Sequence, residues 1–211
     1  MSASIAPLSR GLAAAALLAM LGLSACAENI ATSRIDPRAD RSEMGMGLDS
    51  RDFEEAAGAA VQSMLASGRL NKPAGGRYVM AISRMTNDTM QRIDTDQLVK
   101  KIRVDLLNSG KVVTTTAVGL DGAEDPMAMR ARELRGSREF SQANVAGRGR
   151  MAAPELSLSG KILQRNLRLD GGAQRVDYYF QLTITEIASG LAFWESEIPI
   201  SKRGSNRSVA W

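Results

Sequence analysis

The chain has 211 residues, with 27 Lys and Arg against 23 Asp and Glu, no histidine, one cysteine and a formal net charge of +4. That inventory excludes an internal disulfide and any histidine-dependent nucleophilic triad, and with the one cysteine modified a zinc site would have to be built from carboxylates alone. Aromatic residues make up 4% of the chain, too few for the stacking surface that a single-stranded nucleic-acid binder adds to its basic charge.

Arg10 is the only charge in the first 25 residues, and Gly11 to Leu23 is an apolar run ending in Leu23-Ser24-Ala25-Cys26. The run is too short for a bilayer-spanning helix, which needs roughly 20 residues, and has the layout of a cleaved leader. Leu23 to Cys26 resembles the lipobox of bacterial lipoproteins. The resemblance implies a signal peptide over residues 1–25, a diacylglycerol on the thiol of Cys26, and acylation of its new amino group. Several acyl chains together hold a protein stably on a membrane. Ala27 is not the aspartate that resembles an inner-membrane retention signal, so the expected location is the periplasmic face of the outer membrane.

Cleavage removes only Arg10 among the charges, so the mature chain carries +3. Residues 26–48 read as the lipidated cysteine and a flexible linker, because charges and small residues alternate there without a period. A globular domain is expected over 49–211. Its first helix begins at Asp49 or Ser50, carries Phe53, Ala57, Ala60, Val61, Met64 and Leu65 on one face, and ends at Gly68. A turn over Asn71 to Gly76 leads to a buried strand from Arg77 to Ser83, and Met85 to Thr89 reads as a polar loop. A second helix, capped by Asp94 or Thr95, repeats Leu98, Ile102 and Leu106 every four residues with Val99 beside them. It stops at Asn108-Ser109-Gly110. Lys111 to Val118 is β-branched almost throughout and predicts a second buried strand.

Asp125-Pro126 opens a third helix running to about Arg135. Residues 136–153 have no clean period. Glu155 to Leu169, Gln174 to Ile187 and Leu191 to Ser201 predict three strands, and the short turns between them force antiparallel neighbours. Val176, Tyr178, Phe180, Leu182 and Ile184 alternate with polar positions, giving that strand one buried and one wetter face. The order specifies an α/β (α+β) domain with a small mixed sheet flanked by helices.

Several strings in combination resemble the LpoB-type lipoproteins that activate class A penicillin-binding proteins. They are the lipobox at Cys26, the strand leading into Arg84-Met85-Thr86-Asn87-Asp88-Thr89, the helix closing in Leu107-Asn108-Ser109-Gly110-Lys111, and the hairpin Ser189-Gly190-Leu191-Ala192-Phe193-Trp194. The resemblance implies a fold similar to the TolB N-terminal domain and a regulator that docks on its synthase. It implies no cofactor, small-molecule substrate or nucleic-acid partner. A structural component of an outer-membrane assembly or secretion complex, related to curli-secretion lipoproteins, is the competing reading. An enzyme has no support, since Asp94 and Asp96 lie where acids favour a helix dipole.

Two segments are candidate partner-binding surfaces. Met85, Asn87, Thr89 and Met90 belong to a loop expected at an end of the sheet, where contact residues are commonly carried. Turn geometry of the Asx type is the main role expected of Asn87-Asp88-Thr89, with partner contact as the alternative. Arg130, Arg132, Arg135, Arg138, Arg148 and Arg150 lie among only two acids, Glu133 and Glu139. That segment's +4 exceeds the whole mature chain's charge. Arginine forks pair with carboxylates and phosphates, so an acidic protein face, peptidoglycan stem carboxylates and lipid headgroups are candidate targets, with Arg148 and Arg150 foremost for the synthase. A solvated surface is the plain alternative.

Overall fold

The computed structural model describes residues 32, 34–36, 45–120 and 124–208. Cys26 and the leader lie outside them. The chain divides into a unit Met1–Ala39, whose four described residues carry no helix or strand, and a compact unit Asp40–Trp211.

The compact unit opens with helix α1 (Ser50–Ala66). The Asp49 carboxylate accepts from the Arg51 and Asp52 N–H groups at 2.8 and 3.2 Å, and Asp52 Oδ2 accepts from Asp49 N at 2.7 Å. This reciprocal box satisfies donors that a helix start leaves orphaned. Strand β1 (Tyr78–Asp88), helix α2 (Thr95–Asn108, capped by Asp94) and strand β2 (Val112–Thr114) follow. Helix α3 (Met127–Glu133) and one 3-10 turn at Gln142–Asn144 precede strands β3 (Leu156–Arg168), β4 (Ala173–Glu186) and β5 (Ala192–Ser205).

The sheet order is β2-β1-β3-β4-β5. β1 is parallel to both β2 and β3, while β3, β4 and β5 form an antiparallel meander. The mixed α/β class expected from the element order is therefore the class observed. Helices α1 and α2 pack on each other, α1 against β5 and α2 against β1 and β2. Val176, Tyr178, Phe180, Leu182 and Ile184 of β4 are all buried, as their alternation requires. Phe180 meets Phe53 of α1 edge-on, at 5.9 Å between ring centroids and 86° between planes. Burying one such ring contributes about 1.5–3 kcal/mol.

The structure corrects the expected elements in three places. Met85 to Asp88 is strand, not loop, and Met85 is only 7% exposed. A bulge lets Ser83 and Arg84 together oppose one residue of β3, which resets the alternation and turns Met85 inward opposite Gly160. The polar residues that suggested a loop, Thr86 and Asp88, lie on strand positions that stay exposed. Second, β2 is three residues long. Thr115 N still reaches Met80 O at 2.9 Å, but Thr116 to Val118 leave the sheet; β-branched composition reports fit to a pleat, not the presence of a neighbour. Third, Met46 is buried and Leu48 packs on the core, so residues expected at the end of the linker belong to the folded unit.

Candidate partner-binding site

The turn after β1 is built from its own side chains. Asn87 Oδ1 accepts from Thr89 N at 3.2 Å and from Thr89 Oγ1 at 2.8 Å, and Asn87 Nδ2 donates to Gln91 O at 2.8 Å. This is Asx-turn chemistry. Met90 N donates to Gln164 Oε1 of β3 at 3.0 Å, while Leu48 N donates to Gln91 Oε1 at 2.8 Å. The turn therefore ties β1, β3 and the entry to α1 together. A Cβ at Gly47 would stand 2.1 Å from Gln91 Nε2, so any larger residue there would push the Gln91 amide out of its present place. Met90, 72% exposed, projects from this rigid frame.

Of the residues expected here, Asn87, Thr89 and Met90 sit together at the end of β1, and buried Met85 does not join them. Arg148 and Arg150 are exposed and flank Gly149, whose φ of 72° suits a turn. No hydrogen bond or ion pair among the described residues joins them to the Asn87 turn.

Residues 124–150 form a lobe in which none is buried. Gln142 organises it: Nε2 donates to Leu134 O, Ser137 O and Phe140 O at 3.1, 2.8 and 3.0 Å, and Oε1 accepts from Gly136 N at 2.9 Å. Arg135 spans the lobe, with Nε to Ala146 O at 2.8 Å and Nη2 to Gly147 O at 3.2 Å, and Arg132 binds Ala128 O. Arg135 is thus a staple of the lobe, while Arg132 reaches only a carbonyl of its own helix. Neither the role of Arg135 nor that of Gln142 carries a sequence signal, because both depend on carbonyls brought round by the turns.

The segment entering α1 is latched to β5 by a buried polar cluster that sequence reading did not find. Lys202 Nζ lies 2.6 Å from Asp52 Oδ2 and donates to Gly47 O at 2.5 Å, and the two charged side chains are 7% and 5% exposed. Tyr178 donates to Met46 O at 3.1 Å. Burial, with the nearby Asp52 charge, pushes the Tyr178 hydroxyl up to about 12. Burial works against the Asp49 carboxylate, but hydrogen bonds from Arg51 and Asp52 and the Lys202 charge hold it below its usual range.

The sheet face opposite α1 and α2 carries a cavity of about 500 Å³ lined by Leu163, Arg165, Tyr179, Gln181 and Glu197 with Gln164. Beside it, Arg175 and Ser201 donate to buried Asp177 at 2.7 and 2.6 Å. The Arg175 bond first, then that of Ser201, holds the Asp177 carboxyl below the usual range. Among the described residues no group of three or more His, Cys, Asp or Glu side chains is placed to hold a metal ion. No described helix is long and apolar enough to cross a membrane.

Comparison with known proteins agrees with the motif resemblance. A family model described as peptidoglycan-synthase activator LpoB matches residues 52–200. Among solved structures, the LpoB C-terminal domain from Salmonella enterica is 14% identical at a TM-score of 0.41, covering 71% of this chain and 98% of that one. The LpoB C-terminal domain from Escherichia coli is 14% identical at a TM-score of 0.39, covering 72% and 99%. Lipoprotein GNA1162 from Neisseria meningitidis is 14% identical at 0.37, covering 63% and 87%. A search of curated proteins finds no match.

Proposed function

Because the chain belongs to the LpoB family of peptidoglycan-synthase activators, we propose that it is a lipid-anchored periplasmic regulator that binds and activates a class A penicillin-binding protein. The observation that carries this reading is the family match, which spans more than half of the chain. The lipobox at Cys26 supports anchoring at the periplasmic face of the outer membrane. Activation by contact needs a rigid presenting surface and no catalytic group of its own.

The proposed synthase-facing residues are Asn87, Thr89 and Met90 with Arg148 and Arg150. The turn is fixed by five side-chain hydrogen bonds before any partner arrives, so little ordering entropy is lost on docking. The exposed Met90 thioether can adapt to an apolar depression. Arg148 and Arg150 steer encounter and fix orientation.

The test is reconstitution of the chain from Ala27 with the class A synthase of the same cell, following glycan polymerisation. The expected result is faster polymerisation, with no turnover of the lipid-linked precursor by this protein alone. Arg148→Glu with Arg150→Glu slows association and flattens its salt dependence, and Met90→Asp raises the dissociation rate. Absence of both binding and stimulation by the unaltered chain refutes the reading.

A further inference from the structure

Helices α1 and α2 cover one side of the sheet and leave the other face of the β3, β4 and β5 meander without a layer. Directly opposed residues of neighbouring strands share a face, so the pairing maps this surface row by row. Its middle row is Leu163, Tyr179 and Pro199, the first two half-buried and the third exposed. Towards the β3–β4 turn stand Arg165, Arg175 and Arg203, and towards the opposite end stand Glu197 and Glu195. All five charged side chains are exposed.

Charge on this face is therefore segregated along the strands. The three arginines stand against one acid, buried Asp177, which leaves +2 at their end, while Glu195 and Glu197 leave −2 at theirs. The remaining charges nearby cancel: Lys161 pairs with Asp88 at 2.6 Å, and the β3–β4 turn carries Arg168 with Asp170. Glu195 accepts from Thr183 Oγ1 at 3.2 Å and Glu197 from Gln181 Nε2 at 2.8 Å, and neither has a cationic partner among the described residues. Along β5, Glu195 lies four residues before Pro199 and Arg203 four residues after it. A half-turn about an axis crossing the strands at the middle row thus lays Glu195 of one copy over Arg203 of another, with Arg175 beside it, and Tyr179 over Tyr179. Such a face is its own complement, which is what a two-fold pair requires. Stacked sheets sit about 10 Å apart, a gap that arginine and glutamate side chains close when they reach from opposite sides.

We propose that this face docks on a second copy of the chain, forming a two-fold dimer with Leu163, Tyr179 and Pro199 at its centre and Glu195 meeting Arg203 and Arg175 at each end. Strands about 4.8 Å apart, over the length from Glu195 to Arg203 at about 3.4 Å per residue, give a contact of roughly 450 Å² per copy. That is the low end for a specific interface, so the pair is weak and its population depends on concentration. The proposal needs neither the lipid anchor nor the synthase, and none of its residues belongs to the proposed synthase-facing set.

The experiment is sedimentation velocity of the lipid-free chain from Ala27 over about 1–200 µM protein, at low and high salt. A monomer at the lowest concentration and a dimer at the highest are expected, with weaker association at high salt as the end contacts are screened. Glu195→Arg and Arg203→Glu, each alone, weaken association at least about tenfold by setting like charges against each other. Combined in one chain they reverse both ends and restore it, and an equimolar mixture of the two single variants pairs as well as the parent. The single variants keep the parent melting temperature, because both side chains are exposed. A monomer at every concentration, an assembly larger than a dimer, association that neither single variant weakens, or a double variant no better than the singles overturns the proposal. If the single variants leave sedimentation unchanged but abolish synthase stimulation, the face belongs to the synthase and the proposal falls. Failure of the parent chain to stimulate a synthase bears on the proposed function alone and leaves the sedimentation result intact.

Discussion

Replacing Lys202 with methionine tests the latch between α1 and β5. The substitution keeps the apolar stem and removes the ammonium 2.6 Å from Asp52 Oδ2, leaving a carboxylate that is 5% exposed. Breaking a buried pair from one side costs about 3–5 kcal/mol, because the remaining charge stays desolvated without its partner. For a domain of 150–250 residues each kcal/mol moves the midpoint by about 2–4 °C, so the expected fall is roughly 6–20 °C. Asp52→Asn keeps an oxygen for the Asp49 N–H, so the helix cap survives while Lys202 loses its near counterion and keeps only Asp49 Oδ2 at 3.8 Å. The double variant Lys202→Met with Asp52→Asn therefore recovers part of the loss, with a coupling of at least about 1.5 kcal/mol. Thermal and urea unfolding of the lipid-free chain, followed by circular dichroism, measure all four corners of the cycle. Limited proteolysis adds a local readout, since Lys202 also holds Gly47 O and its loss exposes the strap at Met46. A midpoint change below about 2 °C for Lys202→Met, or strict additivity in the double variant, would show that the pair is not the latch described.

Other outcomes follow from single contacts. Gly160→Ala destabilises by about 1–3 kcal/mol in urea unfolding, because its Cβ would lie 2.7 Å from Gln181 O and 2.8 Å from Met85 Sδ; unchanged stability would mean that β3 and β4 shift apart freely there. Met85→Asp unfolds or severely destabilises the domain while Met90→Asp leaves its melting unchanged, since the first side chain is 7% and the second 72% exposed; equal effects would contradict the burial. Asp177, held below its ordinary value of 3.8 by Arg175, contributes stability that is present above about pH 4 and lost as pH falls through the folded value; Asp177→Asn should flatten that acid arm of a stability-against-pH curve. Tyr178 has the opposite sign. Its stability contribution holds below pH 10 and disappears as pH rises towards about 12, so Tyr178→Phe should remove alkaline destabilisation over that interval.

The sequence by itself determined the parts whose cause is local. The apolar stripe of α1 with Asp49 as its cap, the four-residue repeat of α2, the two hairpins and the alternation through β4 each declare themselves within a few residues. Those features, with the motifs, also made the family legible. The tertiary structure decided whatever depends on distant chain segments. Polar Thr86 and Asp88 read as loop until pairing with β3 extends β1, and only the bulge opposite Ser159 turns Met85 into the core. Lys111 to Val118 had the composition of a long strand, but composition cannot say where a neighbour ends. Met46 and Gly47 looked like linker because their partners, Tyr178 and Lys202 respectively, lie well over 100 positions away. The basic run between Arg130 and Arg150 was plain in the sequence as charge. Which of its arginines face outward and which bind the lobe's own carbonyls was settled by the path of the backbone, because a guanidinium takes its role from the acceptors that folding brings within about 3 Å.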